Sequence, residues 1–116
     1  MAQSGFSPRV VKSGFSYGEA EELHLREELA ACYRLIAHFR MTDLIYTHIS
    51  ARLPGPENHY LLNPYGLLFD EITASSLVKM DLEGNVVEAS EWGFNEAGYT
   101  IHSAVLGGRP DAGCVL

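Results

Sequence analysis

This chain of 116 residues predicts an α/β layered domain with a mostly antiparallel sheet. Three observations carry that expectation. A long amphipathic run comes first, a meander of short β-branched runs separated by turn residues follows, and a second helical run leads into a final apolar strand. Residues 1–15 are polar, contain Gly and Ser, and lack periodicity; they read as a flexible N-terminal tail ahead of one domain over 16–116.

The elements follow in order. Ser16 with Glu19 three residues on forms a capping-box pattern. Behind it Leu25, Leu29, Tyr33, Ile36 and Phe39 recur at spacings of three and four, one apolar stripe of a helix over 18–40. Glu19, Glu21 and Glu22 at its start and Arg34, His38 and Arg40 at its end match the helix dipole. "DLIYTHISARL" is rich in β-branched and aromatic residues and reads as a strand. Leu44, Tyr46, His48 and Ser50 fall on one side, with Ile45, Thr47, Ile49 and Ala51 on the other. "PGPEN" breaks it, "HYLLN" returns as a hairpin partner, and "NPYG" is turn chemistry. "DEITASS" reads as a short helical turn, and "LVKMDL" and "NVVEA" as two strands around "EGN". Ala97 to Leu106 reads as the second helix, ended by Gly107 and Gly108, and "GCVL" as a buried strand.

Composition narrows the function classes. Eight Lys and Arg against 15 Asp and Glu give a net charge of -7, and the basic residues are scattered. A nucleic-acid binder needs a clustered basic face, so that class is set aside. No apolar run approaches the length of a membrane span, and "MAQSGFSPRVVKSGF" lacks the apolar core of a signal peptide. Cys32 and Cys114 stand in no metal-type spacing and read as two buried reduced thiols of a cytoplasmic protein.

Five histidines raise the question of a metal. None forms an H-x-H or H-x3-H pair. His24 and His38 share a helix face but lie about 21 Å apart along it, and His59 flanks a loop. His48 is a polar insertion beside Thr47 and Ser50, which makes it part of either a satisfied core network or a site wall. His102 lies within the second helix, where core packing is the plain reading. The start of that helix has the composition of an anion site. Asn95 can cap it, and Glu96, Ala97 and Gly98 place free backbone N–H groups and a small residue there, although an ordinary N-cap explains the same residues. The turn Asn63-Pro64-Tyr65-Gly66 faces the same place or is a plain turn, with Gly66 permitting close backbone approach.

"LAACYRLIAHF", "TDLIYTHISAR", "LLNPYGLLFDEITASSLVKMDLEGNVV" and "GFNEAGYTIHSAVLGGRPDAGCVL", in that order, resemble the N-terminal half of the class II aldolase/adducin head domain. The resemblance runs from Glu22 to Leu116. It implies a three-layer α/β/α domain with a largely antiparallel sheet, incomplete at the C-terminus, in a cytoplasmic protein that forms homo-oligomers, often four-fold tetramers. Enzymatic members of this family bind a divalent metal, commonly zinc. They cleave or epimerise small, usually phosphorylated, hydroxy-carbonyl compounds by stabilising an enediolate on the metal. In those relatives the strand beginning "CVL" is followed by an H-x-H pair, two of three metal histidines, so no zinc is expected on this chain alone.

The resemblance also assigns positions. A Glu serves as acid/base four residues before the position of His102, where this chain has Gly98; Glu96, two residues earlier, points about 200° away around the helix. The phosphate-binding positions correspond to Thr47-His48, Tyr65-Gly66 and Glu96-Ala97, and an anionic Glu96 opposes phosphate. The expected substrate-binding set is therefore Thr47, His48, Asn63, Tyr65, Gly66, Asn95, Glu96 and Gly98, with no catalytic or metal residue inside the chain. Two functions are expected as rivals. One is a truncated, inactive part of a metal-dependent aldolase; the other is a non-enzymatic, adducin-like oligomerisation and partner-binding domain.

Overall fold

The computed structural model describes residues 17–116. The expected tail and the Ser16 cap lie outside the described residues. Helix α1 spans Tyr17–His38, strand β1 Ser50–Arg52, β2 Tyr60–Leu62, β3 Val78–Met80, helix α2 Glu96–Gly108 and β4 Cys114–Val115. The four strands form one sheet in the order β3-β2-β1-β4, and every pairing is antiparallel. Among the described residues no helix is long and apolar enough to cross a membrane.

Alternation along β2 divides the core. Leu61 faces α1, where it joins Leu29, Ala30, Tyr33, Ile49, Leu53, Phe69, Ile72 and Leu77. Tyr60 and Leu62 face the other way and meet Val78, Met80 and Leu106 of α2. Successive strand residues point to opposite faces, so a helix is needed on each side, and α1 and α2 supply them. This is the expected α/β/α layering.

Guanidinium groups tie the layers at places where apolar packing runs out. Arg26, only 8% exposed, donates to the carbonyls of Ala74 (3.1 Å) and Leu77 (3.0 Å) and pairs with Glu88 at 2.8 Å. Arg52 reaches from β1 to the end of α2, donating to the carbonyls of Leu106 (2.6 Å), Arg109 (3.1 Å) and Ala112 (2.8 Å). Those carbonyls include orphan acceptors of a helix C-terminus, so one side chain caps α2 and fastens it to the sheet. "DEITASS" forms two 3-10 turns, Phe69–Glu71 and Ala74–Ser76, the second closed by reciprocal bonds between Thr73 and Ser76.

The structure corrects several expectations. The strand expected over "DLIYTHISARL" contracts to Ser50–Arg52. Leu44 (φ 54) and Thr47 (φ 69) adopt left-handed backbone, which breaks the alternation. "NVVEA" forms no separate strand; Val86 makes one bridge to Met80, and the Val87 N–H donates to Lys79 (3.0 Å). Phe39 is 65% exposed, because α1 stops at His38 and the chain turns at Arg40. Gly107 and Gly108 are the last helical residues rather than the stop. The final strand is not buried: β4 is an edge strand with Cys114 exposed, and Cys32 is only partly covered.

One hydroxyl holds the irregular approach to β1. Tyr33, fully buried, donates from its hydroxyl to the Ile49 carbonyl, while the Ile49 N–H donates back to the same oxygen at 2.8 Å. Asn63 Oδ1, 2.9 Å away, is a second acceptor for that hydroxyl. Burial raises the Tyr33 pKa well above its ordinary value, so the phenol stays protonated and able to donate. Tyr33→Phe leaves a buried N–H and a buried carbonyl without partners. It is expected to destabilise the fold by about 2–3 kcal/mol in urea unfolding; a loss below about 0.5 kcal/mol would show that this oxygen is replaceable.

Candidate functional site

The Tyr33 contact turns the segment before β1 toward the start of α2. Ser50 (0% exposed) and His102 (3% exposed) meet in the core, with Oγ and Nδ1 2.6 Å apart. The His48 ring stands edge-to-face against His102, centroids 5.4 Å apart and planes at 86°. Burial lowers the His102 pKa to about 4, with the neighbouring His48 adding to the shift, and burial lowers His48 as well. Both imidazoles are therefore neutral at neutral pH.

Gly98 completes this packing. A Cβ built on it would lie 3.0 Å from His48 Cδ2, 3.2 Å from its Cγ and 3.3 Å from a Leu62 methyl. The His48 imidazole occupies the space that a side chain at position 98 would need.

The helix start is a closed cap. Asn95 Oδ1 accepts from the amides of Ala97 (2.8 Å) and Gly98 (3.3 Å), and the Tyr99 N–H donates to the Asn95 carbonyl at 2.9 Å. The expectation of free N–H groups for an anion is corrected, because the cap uses the amides of Ala97 and Gly98.

In front of this cap lies a cleft of about 400 Å³ lined by Tyr46, Tyr65, Phe94, Asn95 and Glu96. Three of the sequence-predicted residues, Tyr65, Asn95 and Glu96, meet there. Thr47 is exposed beside Tyr46, and Gly66 (φ 97) follows Tyr65 with open space around it. His48 and Gly98 pack behind the first turn of α2, and Asn63 (3% exposed) lies under the turn on Tyr33. Sequence reasoning missed Tyr46, Phe94 and Ser50. The signal for Phe94 was its place directly before the cap residue, an aromatic at the mouth of a helix. A second cleft of about 460 Å³ lies beside β3, but its Lys79 and Glu88 are already paired, with Glu22 (2.7 Å) and Arg26 (2.8 Å).

The described residues do not fit a metal centre. No group of three or more His, Cys, Asp or Glu side chains is placed to hold an ion, and Ser50 already engages His102 Nδ1.

The buried imidazole has a pH signature. The unfolded chain takes up a proton at His102 below about pH 6.5, the folded chain only near 4, so the unfolded state holds more protons in that window. Stability should be fully present above about pH 6.5 and fall as pH drops toward 4, by an amount on the order of 3 kcal/mol. Urea unfolding at several pH values should give a shallower fall for His102→Gln than for the parent. Superimposable profiles would remove His102 from the account.

Comparison with known proteins gives consistent matches. The family model described as Class II Aldolase and Adducin N-terminal domain matches residues 27–116. A protein of Caulobacter vibrioides named for aldolase class 2 is 59% identical over 95 residues, 82% of this chain and 37% of that protein. Alpha-adducin of Mus musculus is 48% identical over 103 residues, 87% of this chain and 14% of that protein. Among solved structures, an aldolase II superfamily protein from Pseudomonas syringae has a TM-score of 0.79 at 56% identity, covering 83% of this chain and 39% of that one. An L-fuculose 1-phosphate aldolase from Glaciozyma antarctica has a TM-score of 0.78 at 33% identity, covering 87% and 42%. The chain thus spans well under half the length of these relatives. With α1 and α2 on opposite faces of an antiparallel sheet, and with these matches over most of its length, the chain belongs to the class II aldolase and adducin N-terminal domain family.

Proposed function

We propose that this chain is the ligand-binding part of a class II aldolase-type protein that cleaves or epimerises a small hydroxy-carbonyl compound. The observation that carries the reading is the cleft at the start of α2, lined by Tyr65, Asn95 and Glu96, in a chain of this family. The likeness to an L-fuculose 1-phosphate aldolase supports the reaction class. In this reading the divalent metal, zinc by preference, is held by donors outside residues 17–116, and the chain alone is inactive. Thr47, Tyr65 and Gly66 border the ligand, Asn63 holds the turn from beneath, and Asn95 and Glu96 form the far rim. His48, neutral at neutral pH and seated on Gly98, backs the site from behind the first turn of α2.

A second reading has its own observation. Position 98 carries no acidic side chain, and its space is filled by imidazole, which suits a non-enzymatic, adducin-like domain that assembles and binds partners. Both readings include a homo-oligomer, a tetramer by family habit. Light scattering is expected to report an assembly larger than a monomer, and a monomer persisting at high concentration counts against it.

Ligand binding tests the site. Glu96 opposes phosphate because it brings a carboxylate to the rim while the amides of Ala97 and Gly98 are already used. Glu96→Ser is expected to raise affinity for small phosphorylated sugars roughly 5-fold in titration calorimetry at fixed salt. Unchanged affinity in Glu96→Ser, together with undiminished ligand binding in His48→Ala, would mean the site lies elsewhere.

A further inference from the structure

We infer that the cleft at the start of α2 takes a ligand bearing an organic cation, an ammonium or trimethylammonium head; this rests on the reading that the cleft is the ligand site. Its wall is aromatic. Tyr46, Tyr65 and Phe94 make up three of the five lining residues, and the two tyrosines are 51% and 52% exposed. Each ring is mounted on backbone held by local pairing. The Tyr46 N–H donates to Asp43 at 2.9 Å, the Tyr65 N–H donates to Gly93 at 2.9 Å, and Phe94 forms a bridge with Pro64. Phe94 is further fixed edge-to-face on Tyr99, centroids 6.2 Å apart. Left-handed backbone at Leu44 and Thr47 brackets Tyr46, and Thr is a β-branched residue rarely found in that conformation. Such conformations persist where the surroundings over-determine them, which makes the Tyr46 mount rigid.

The charge in the cleft is one-sided. Glu96 contributes its carboxylate, and among the described residues it forms no ion pair or side-chain hydrogen bond. Among the described residues no Lys, Arg or His lines the cleft, and the Asn95 side-chain oxygen is committed to the helix cap. An anion would meet a carboxylate and, among the described lining residues, no positive charge. A cation would find three aromatic side chains and one carboxylate, the pairing of groups that recognises ammonium heads. A neutral sugar would use the rings and leave the carboxylate unmatched.

The test uses choline and its uncharged isostere 3,3-dimethylbutan-1-ol as probes, titrated into the full chain and followed by NMR at fixed ionic strength. Choline should bind roughly 2- to 5-fold tighter than the isostere and shift the resonances of Tyr46, Tyr65 and Phe94. Glu96→Gln should abolish that preference, and Tyr65→Leu should weaken choline while leaving the fold intact, since the ring is half exposed. Equal or tighter binding of the isostere in the same cleft overturns the cation inference and leaves the cleft as the ligand site. Inorganic phosphate displacing choline from these residues overturns it as well. If neither probe nor glyceraldehyde perturbs these resonances, the placement of the site fails along with the inference.

Discussion

The hydroxyl of Tyr33 decides where the sheet begins. It sits in the middle of the α1 layer, takes both backbone groups of Ile49, and stands against the Asn63 amide at the end of β2. A hydroxyl carries one proton, so it donates to one carbonyl at a time. That proton is shared between the Ile49 carbonyl and Asn63 Oδ1, 2.9 Å away, while the Ile49 N–H donates back to the oxygen. Three chain segments far apart in sequence thus converge on one oxygen. Remove it and the approach to β1 loses the partner that a neighbouring strand would otherwise provide. Ser50, the next residue, is then no longer held against His102, nor His48 against Gly98. The geometry at the start of α2 follows from a bond made on the opposite face of the sheet.

That dependence explains what was legible in the sequence and what was not. Helix α1 was readable because Leu25, Leu29, Tyr33 and Ile36 repeat at helical spacing, and all four pack on the core as that spacing requires. The hairpin and the second helix were readable from turn residues and from Asn95 as a cap. The segment from Leu44 to Ile49 was misread because its composition alternates as a strand does, while its backbone hydrogen bonds go elsewhere. Composition reports side-chain preference; it does not report that a tyrosine sixteen residues upstream will occupy the amide and carbonyl of Ile49. The same gap hid the pairing of Ser50 with His102, fifty-two residues apart. Tyr46 was assigned to a strand face and so was not seen as part of a cleft.

Polar contacts take part in assembling the layers. Arg26 and Arg52 each span two layers and end on backbone carbonyls rather than on carboxylates alone. Charge-assisted bonds of this kind are directional, so they fix the angle of a helix on the sheet where side-chain packing would tolerate sliding. Arg52 also sets the end of α2, and with Asn95 setting its beginning the helix is pinned at both termini. Its first turn, the wall behind the cleft, is correspondingly well defined.

The contact between Gly98 and His48 constrains the routes by which this molecule can change. With a Cβ at 98 meeting the imidazole at 3.0 Å, the ring must give by a few tenths of an ångström before a side chain fits there. An acidic residue introduced at 98 would press on the ring, and a smaller residue introduced at 48 would relieve that contact. The effect of a change at one position therefore depends on which residue stands at the other. Sterics alone thus couple glycine at one position to histidine at the other, whether or not either residue is needed for chemistry.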